Sequence, residues 1–513
     1  MNEITNYSEN HTETNKAPES RFRKILHGIR GLILRDKVLL FVLCSSFILR
    51  LTLYIGISPN VFSDSHSYER GALTLLKGGS PWDCYPRTPV YPMYLAMVYK
   101  LAGEKNRNAI AFGQVFVFGL INALILYFLG MQITNNRIIS SVCAILYNLD
   151  LFTIQFDFAI LSESLSSLLL LASLILILTA VKKPSWLWSV FAGFVLGFAA
   201  LVRPAFVPVL APCILFFVIY VLFFQKEPVS RIKKLSRISL FVILSVLPCF
   251  IWLLGNYRMG KGFSFSPFML NAGLTNHTGN FFEGLPDKYA PIRDPFIKLR
   301  NERKTSIGGY YRVQKEMYQA ARKKLGIKTE REFEKLITRL CIKLIKDNPR
   351  LYFKTFRFAW EFMWEVRTLV FFESENFQEG KNFNRIHRKF LWGLWFDKVE
   401  IGVLQTERFN KLQFPLFLIS AFLVIFLNIK NKDRLIPSCF LFIIIMTLSI
   451  FINALEFSEN PRYRGPFHPL VLLFCFSCLG MIIKLGFLKI KSALMKNRVP
   501  SSSPKRKKKL KSK

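Results

Sequence analysis

Ten stretches of this chain are each apolar for about seventeen to twenty-three residues, which is the length needed to cross a hydrocarbon layer of roughly 30 Å as a helix. They fall at 38–57, 109–130, 138–156, 159–181, 186–202, 205–224, 237–255, 412–428, 435–455 and 466–486. Within lipid every backbone N–H and C=O has to be satisfied inside its own segment, so runs of this kind fold as helices. The expectation is an all-α polytopic membrane protein with about ten transmembrane helices. Composition supports it: 51% of residues are hydrophobic and 51 are phenylalanine, yet Lys+Arg number 70 against 33 Asp+Glu. Soluble nucleic-acid binders are also basic, but they lack such runs. No nucleic-acid partner is expected, and much of the charge is read as topology.

The short connections alternate in charge. Basic residues precede the first run, and Lys182 and Lys183 lie between the fourth and fifth. "QKEPVSRIKKLSR" lies between the sixth and seventh, "KNKDR" between the eighth and ninth, and a lysine-rich tail follows the tenth. All five fall on one side, which the positive-inside rule makes cytoplasmic, with both termini there. The first twenty residues are polar and lack an apolar core, so no cleavable signal peptide is expected and the first span serves as the membrane address. The opposite face receives residues 58–108, Asp157, the turn at Arg203 and Pro204, the long segment 256–411, and "EFSENPRYRGP". The domain reading is a basic cytoplasmic N-terminus (1–37), a membrane catalytic module (38–255) with its first outer loop at 58–108, and an outer helical domain (256–411). C-terminal spans (412–486) and a polybasic cytoplasmic tail (487–513) complete it.

Nine cysteines are scattered, mostly inside apolar runs, and the Cys475-x-x-Cys478 pair has no second pair to complete a zinc site. Cys84 and Cys341 fall in long polar segments and could form one disulfide; packing thiols are the simpler reading. In the outer domain Phe333, Leu336, Ile337, Leu340 and Leu344 form a helical apolar stripe, with Thr329 and Glu332 placed as a capping box. The aromatic, basic "FKTFRFAWEFMW" suits the headgroup level.

Residues 62–92, "FSDSHSYERGALTLLKGGSPWDCYPRTPVYP", are organised differently. Ser63, Asp64 or Ser65 can cap a short amphipathic helix ending near Lys77 at Gly78-Gly79. Three prolines from Pro86 to Pro92 then hold the chain extended and aim Arg87. The plain reading of Asp64 is a helix cap. Its company argues for more: a carboxylate beside the outer end of the first span, a flat helix, and a proline-fixed cation. Asp83 reads as solvated and His66 as a surface ring.

These residues carry a resemblance. "SDSHSYERGALTLLKGG" followed by "RTPVYPMYLAMVYKLAG" resembles the first outer loop of bacterial GT-C glycosyltransferases of the family 39 and RgtA/B/C/D-like type. That group includes protein mannosyltransferases and the aminoarabinose transferase of lipid A. Asp64, Tyr68, Arg87, Pro89, Tyr91 and Pro92 match its pattern, while Val90 stands where glycine is usual. Asp64-Ser65 departs from the Asp-Glu of eukaryotic protein mannosyltransferases. "LSESLSSLLLL", "LVRPAFVPVLAP" and "NPRYRGPFHPLVLLF" extend the likeness through the membrane part, and "WLLGNYRMGKG" matches weakly.

The resemblance implies a GT-C-like bundle in the plasma (inner) membrane. It also implies an inverting transfer of a sugar from a polyprenyl-phosphate donor to a hydroxyl of a lipid, glycan or protein acceptor on the outer face. Asp64 is then the expected general base, with Asp157 either a second catalytic acid or an acid tolerated in a turn near water. Tyr68, Arg87, Glu163, Arg203, Arg258, Arg462 and Arg464 are the expected substrate-binding residues. Arginines can hold a leaving phosphate by two-point hydrogen bonds, so no metal or other cofactor is expected. Glu163, one turn inside its span, should pair with an outer arginine; the alternative for Arg462 and Arg464 is a salt bridge to Glu456 and Glu459 within their own loop, which would make that loop structural. The alternative from another class is a lipid or glycolipid transporter, or flippase. Against it, the charged residues gather at one rim rather than at mid-membrane, and no repeat is visible.

Overall fold

The computed structural model describes residues 37–56, 58–225, 229–304, 309–364, 412–457 and 460–496. The expected basic N-terminus through residue 36, residues 365–411 of the expected outer domain, Glu459, and the tail from 497 lie outside the described residues. Among the described residues the regular structure is helical, with one isolated bridge between Asn60 and Ala159.

In chain order the helices are α1 (Lys37–Gly56), α2 (Ser63–Leu76), α3 (Val90–Ala102), α4 (Arg107–Thr134), α5 (Arg137–Tyr147) and α6 (Leu151–Phe158). Then come α7 (Glu163–Lys182), α8 (Trp186–Val202), α9 (Pro204–Phe224) and α10 (Arg231–Arg258). The outer segment holds α11 (Pro267–Thr278), α12 (Ala290–Arg303), α13 (Gly309–Leu325), α14 (Glu330–Asp347) and α15 (Pro349–Met363). The chain returns through α16 (Gln413–Leu427), α17 (Lys432–Leu455) and α18 (Asn460–Lys491).

Seven of these, α1, α4, α7, α9, α10, α17 and α18, are long and apolar enough to cross a membrane, so the chain is a multi-pass membrane protein. The other three expected spans differ in form. α8 and α16 are shorter, at 17 and 15 residues. The run expected as one span at 138–156 is the pair α5 and α6, bent by 55°. The bend has a local cause in "YNLDLF". Asn148 turns its amide back onto the Ala144 carbonyl (2.8 Å), and Asp150 caps α6 by accepting from the Thr153 N–H (2.9 Å).

That bend wraps a buried ion pair. Arg50 of α1 is fully enclosed and donates to Asp157 Oδ2 (2.7 Å), Asn148 Oδ1 (2.6 Å) and the Val115 carbonyl (2.9 Å). A π-helical turn over Gly113–Phe118 leaves a carbonyl outside the normal ladder there. Space for the guanidinium comes from Gly119, where a Cβ would lie 2.0 Å from Arg50 Nη1. Asp157 also accepts from Ser164 Oγ (2.5 Å), so its lone pairs are taken up inside the bundle.

The outer helices have their own core around Phe282, Phe296, Met317 and Phe333, completed by Ile337, Leu340 and Leu344 of the expected stripe. Thr329 caps α14 as expected, accepting from the Glu332 N–H (3.2 Å), while the Glu332 carboxylate accepts from the Lys328 N–H (2.8 Å). Cys84 and Cys341 are separate free thiols, which removes the disulfide option. The aromatic segment forms α15, with Phe353 and Phe358 exposed. The outer unit is tied to the membrane bundle where Tyr352 donates to the Ala454 carbonyl (2.6 Å) and His277 Nε2–H donates to the Glu456 carbonyl (3.0 Å). Burial lowers the His277 pKa to about 4, outweighing the carbonyl contacts that favour the charged ring.

Two outcomes follow from these contacts. Replacing Asp157 with Asn leaves Arg50 buried without a counter-charge, a class of change that costs about 3–5 kcal/mol; a large fall in melting temperature in detergent is expected. His277 is held neutral, so the unfolded chain binds more protons between its ordinary pKa of 6.5 and about 4. Its contribution to stability is therefore complete above that window and declines as pH falls through it. Melting curves of the parent and of His277→Gln should show a steeper acid loss in the parent.

Candidate active site

The site begins where α2 does. Phe62 precedes the helix, and its N–H is capped by Ser65 Oγ (2.9 Å), so Asp64 is not the cap. The Asp64 side chain, 26% exposed, turns instead toward two arginines. α2 ends at Leu76, and Gly78, at φ +85°, reverses the chain in a conformation costly for any residue with a Cβ. The expected extended run is not found at these prolines: Pro89 already has helical backbone angles (φ −77°, ψ −21°), and Val90-Tyr91-Pro92 forms the first turn of α3, where a proline lacks no needed donor. Thr88 Oγ1 donates to the Val202 carbonyl (3.1 Å), fixing this turn to the end of α8.

Arg87 is thereby placed beside α2. Its Nε donates to Ser67 Oγ (2.8 Å), its guanidinium lies 4.8 Å from the Tyr68 ring centroid, and Nη2 donates to Asp64 Oδ1. Tyr68 is buried, with its hydroxyl 3.2 Å from Ser162 Oγ. From the opposite end of the sequence, Arg462 Nη1 donates to Asp64 Oδ2 (2.9 Å) and its Nε to Glu163 Oε1. Glu163, fully buried at the start of α7, also meets Arg203 Nη1 at 3.0 Å. Arg203 lies 4.3 Å over the Tyr463 ring. The result is an alternating row, Arg87–Asp64–Arg462–Glu163–Arg203, drawn from five separate parts of the chain.

Burial disfavours the ionised form of Asp64, but Arg87 and Arg462 together outweigh it and hold the carboxyl well below the usual carboxylate range. The row forms the polar edge of a cavity of about 450 Å³. Asp64, Arg87, Arg203 and Arg462 line it, and its apolar wall includes Pro204 and Val207 of α9 and Phe451 and Leu455 of α17. Ser264, Phe265, Ser266 and Leu270 close it from the outer segment. These contributors are the connections that charge counting placed on one face of the membrane.

Three expected site residues are elsewhere. Asp157 faces Arg50 and Ser164 within the bundle, so the alternative of a second cavity-facing acid is corrected to a buried structural partner. Arg258 ends α10 as an exposed residue and does not line the cavity, because the last turn of that helix runs past it. Arg464 is fully buried, 4.4 Å from the Phe152 ring centroid and 5.6 Å from that of Trp364, since it lies two positions from Arg462 on a helical turn and faces away. Arg462 reaches Asp64 and Glu163 of other elements, so its loop is more than a self-contained ion pair. Glu456, which the sequence placed as a loop partner of Arg462 and Arg464, lines the cavity, as do Ser162 and Tyr463, which sequence reasoning passed over. The "RYR" spacing was a usable signal for Tyr463, which shares the turn with both arginines.

Among the described residues no group of three or more His, Cys, Asp or Glu side chains is arranged to hold a metal ion. Both Asp64 oxygens are committed to guanidinium donors.

Residues 86–252 match the family described as dolichyl-phosphate-mannose-protein mannosyltransferase. The matched stretch contains Arg87, Glu163 and Arg203; Asp64 and Arg462 lie outside it. No curated protein matches the sequence. Among solved structures, the Archaeoglobus fulgidus oligosaccharyltransferase in complex with Zn and sulfate is similar at 13% identity and a TM-score of 0.46, over 90% of this chain and 51% of that one. The archaeal oligosaccharyltransferase AglB from the same organism, with an inhibitory peptide and a dolichol-phosphate, is similar at 14% identity and a TM-score of 0.44, over 94% and 53%. The chain spans about half the length of these structures, and likeness at that level carries no argument about activity. The motifs around Asp64 and the family match over 86–252 agree: the chain resembles the GT-C membrane glycosyltransferases, and over that part of its length it is similar to the mannosyltransferase family.

Proposed function

We propose that the protein is an inverting glycosyltransferase that moves a sugar from a lipid-phosphate donor, of the polyprenyl-phosphate class, to an acceptor hydroxyl on the outer face of the plasma membrane. The observation that carries this reading is the position of Asp64: a carboxylate on a cavity whose edge supplies three guanidinium groups and whose wall is built from the ends of membrane helices. Such a cavity suits a ligand with a phosphate at one end and a hydrocarbon tail in the bilayer. The alternating row carries three positive charges against two negative, a surplus of one, and a phosphodiester donor brings one negative charge.

In the reaction the acceptor oxygen attacks the anomeric carbon from the side opposite the phosphate. The C–O bond to phosphate breaks as the new one forms, the leaving lipid phosphate keeps the electron pair, and Asp64 takes the hydroxyl proton. Leaving turns a singly charged diester into a monoester with a second negative charge. Arg87, Arg203 and Arg462 stand where that growing charge can be met by charge-assisted hydrogen bonds. Glu163 keeps Arg203 and Arg462 in place. Charge neutralisation by arginine makes a divalent ion unnecessary in this scheme.

Asp64→Asn should lower transfer by at least about a hundredfold, the usual scale for losing a general base, while the protein still inserts and melts normally. A chelator should leave the rate of the parent unchanged. A lipid transporter or flippase using the same cavity would keep its activity in the Asn variant, and retention of activity would reject the enzyme reading.

A further inference from the structure

Both oxygens of the expected base are occupied by the groups expected to hold the donor's phosphate. Asp64 Oδ1 accepts from Arg87 and Oδ2 from Arg462. Each arginine also has an anchor independent of Asp64. Arg87 is fixed by its Nε bond to Ser67 and by the Tyr68 ring, and Arg462 by Glu163 at the buried start of α7. Each can therefore let go of Asp64 without moving away.

Resting on the reading above, we propose a hand-over: the donor phosphate replaces Asp64 as the partner of Arg87 and Arg462, and only this exchange frees the carboxylate to accept the acceptor's proton.

The exchange explains how one carboxylate can be held so firmly ionised and still act. A base clamped by two guanidinium groups is weak, because each of its oxygens already accepts from a charged donor and its proton affinity is suppressed; a base matched to its task needs the opposite. The donor's phosphodiester carries the same single charge as the carboxylate and also offers two oxygens to paired N–H groups, and Arg87 and Arg462 line one cavity, so a single anion can engage both. The order of events follows. Donor binds first, and an acceptor hydroxyl that arrives earlier meets a carboxylate whose two oxygens each already accept from a guanidinium. Asp64 then has two roles of opposite sign: it promotes transfer, and it competes with the ligand for the arginines.

That opposition gives a test separable from loss of turnover. Binding of polyprenyl phosphate itself, without sugar, is measured by calorimetry on the full chain in lipid nanodiscs, for the parent, Asp64→Asn and Asp83→Asn. Asp83 is exposed on the same outer loop, so its substitution removes an equal charge without releasing an arginine. The expected result is tighter binding by Asp64→Asn, by about tenfold or more, the scale of one uncontested hydrogen bond to a charged group, with less than about twofold change in Asp83→Asn, as for a screened surface charge. Equal or weaker binding by Asp64→Asn, or equal tightening by both, overturns the hand-over. If the Asn side chain prevents folding, judged by melting, Asp64→Ala, which offers neither arginine an acceptor, is read by the same criteria. An Asp64 variant that loses transfer but binds polyprenyl phosphate no more tightly would refute the hand-over and leave the transfer reading standing. One that binds more tightly yet transfers normally would refute the transfer role instead.

Discussion

A carboxylate enclosed at the end of a membrane helix is costly unless cations come to it, and Glu163 is met by Arg203 from the break between α8 and α9 and by Arg462 from the start of α18. That meeting draws together parts of the chain about three hundred residues apart and sets where Arg462 can reach. Arg462 in turn spans from Glu163 to Asp64, so the position of Asp64 on the outer loop depends on the buried acid. With a single guanidinium bridging both, the membrane bundle and the surface helix α2 share one electrostatic framework.

A second ion pair, Arg50 with Asp157, works differently. It is sealed among Asn148, Val115, Ser164 and Tyr147 and has no face on the cavity. Its effect is geometric: it joins α1 to the bent α5–α6 unit, and the backbone just beyond Asp157 pairs with Asn60 at the entrance to the outer loop. The two pairs thus divide the labour, one holding the scaffold from which the loop starts and the other shaping the polar edge of the cavity. The apolar wall opposite that edge is the natural consequence of building a pocket from the ends of α9 and α17.

Much of this could be read from the sequence, for identifiable reasons. Length and hydropathy mark spans strongly, and all ten expected runs are helical, although Asn148 and Asp150 bend one by competing for backbone groups. The rim residues were accessible because an ionisable side chain at a span end is rare enough to stand out, which picks out Glu163, Arg203 and Arg462. Facing is what periodicity could not give. Asp157 and Glu163 are six residues apart, yet the turn between α6 and α7 sends one into the bundle and the other toward the cavity edge. Arg462 and Arg464 are likewise separated by half a helical turn. Arg50 was hidden because an arginine inside an apolar run looks like a span boundary, and its partner can be found only in three dimensions. The resemblance supplied the role proposed for Asp64; the residues alone pointed to its neighbourhood.

The most direct measurement is a structure of the protein in nanodiscs with polyprenyl phosphate bound, determined by electron cryomicroscopy. The expected result is phosphate density between Arg87 and Arg462 with the lipid running along the α9–α17 wall, and Asp64 no longer bonded to either guanidinium. Phosphate found away from these arginines, with Asp64 still paired to both, would contradict it.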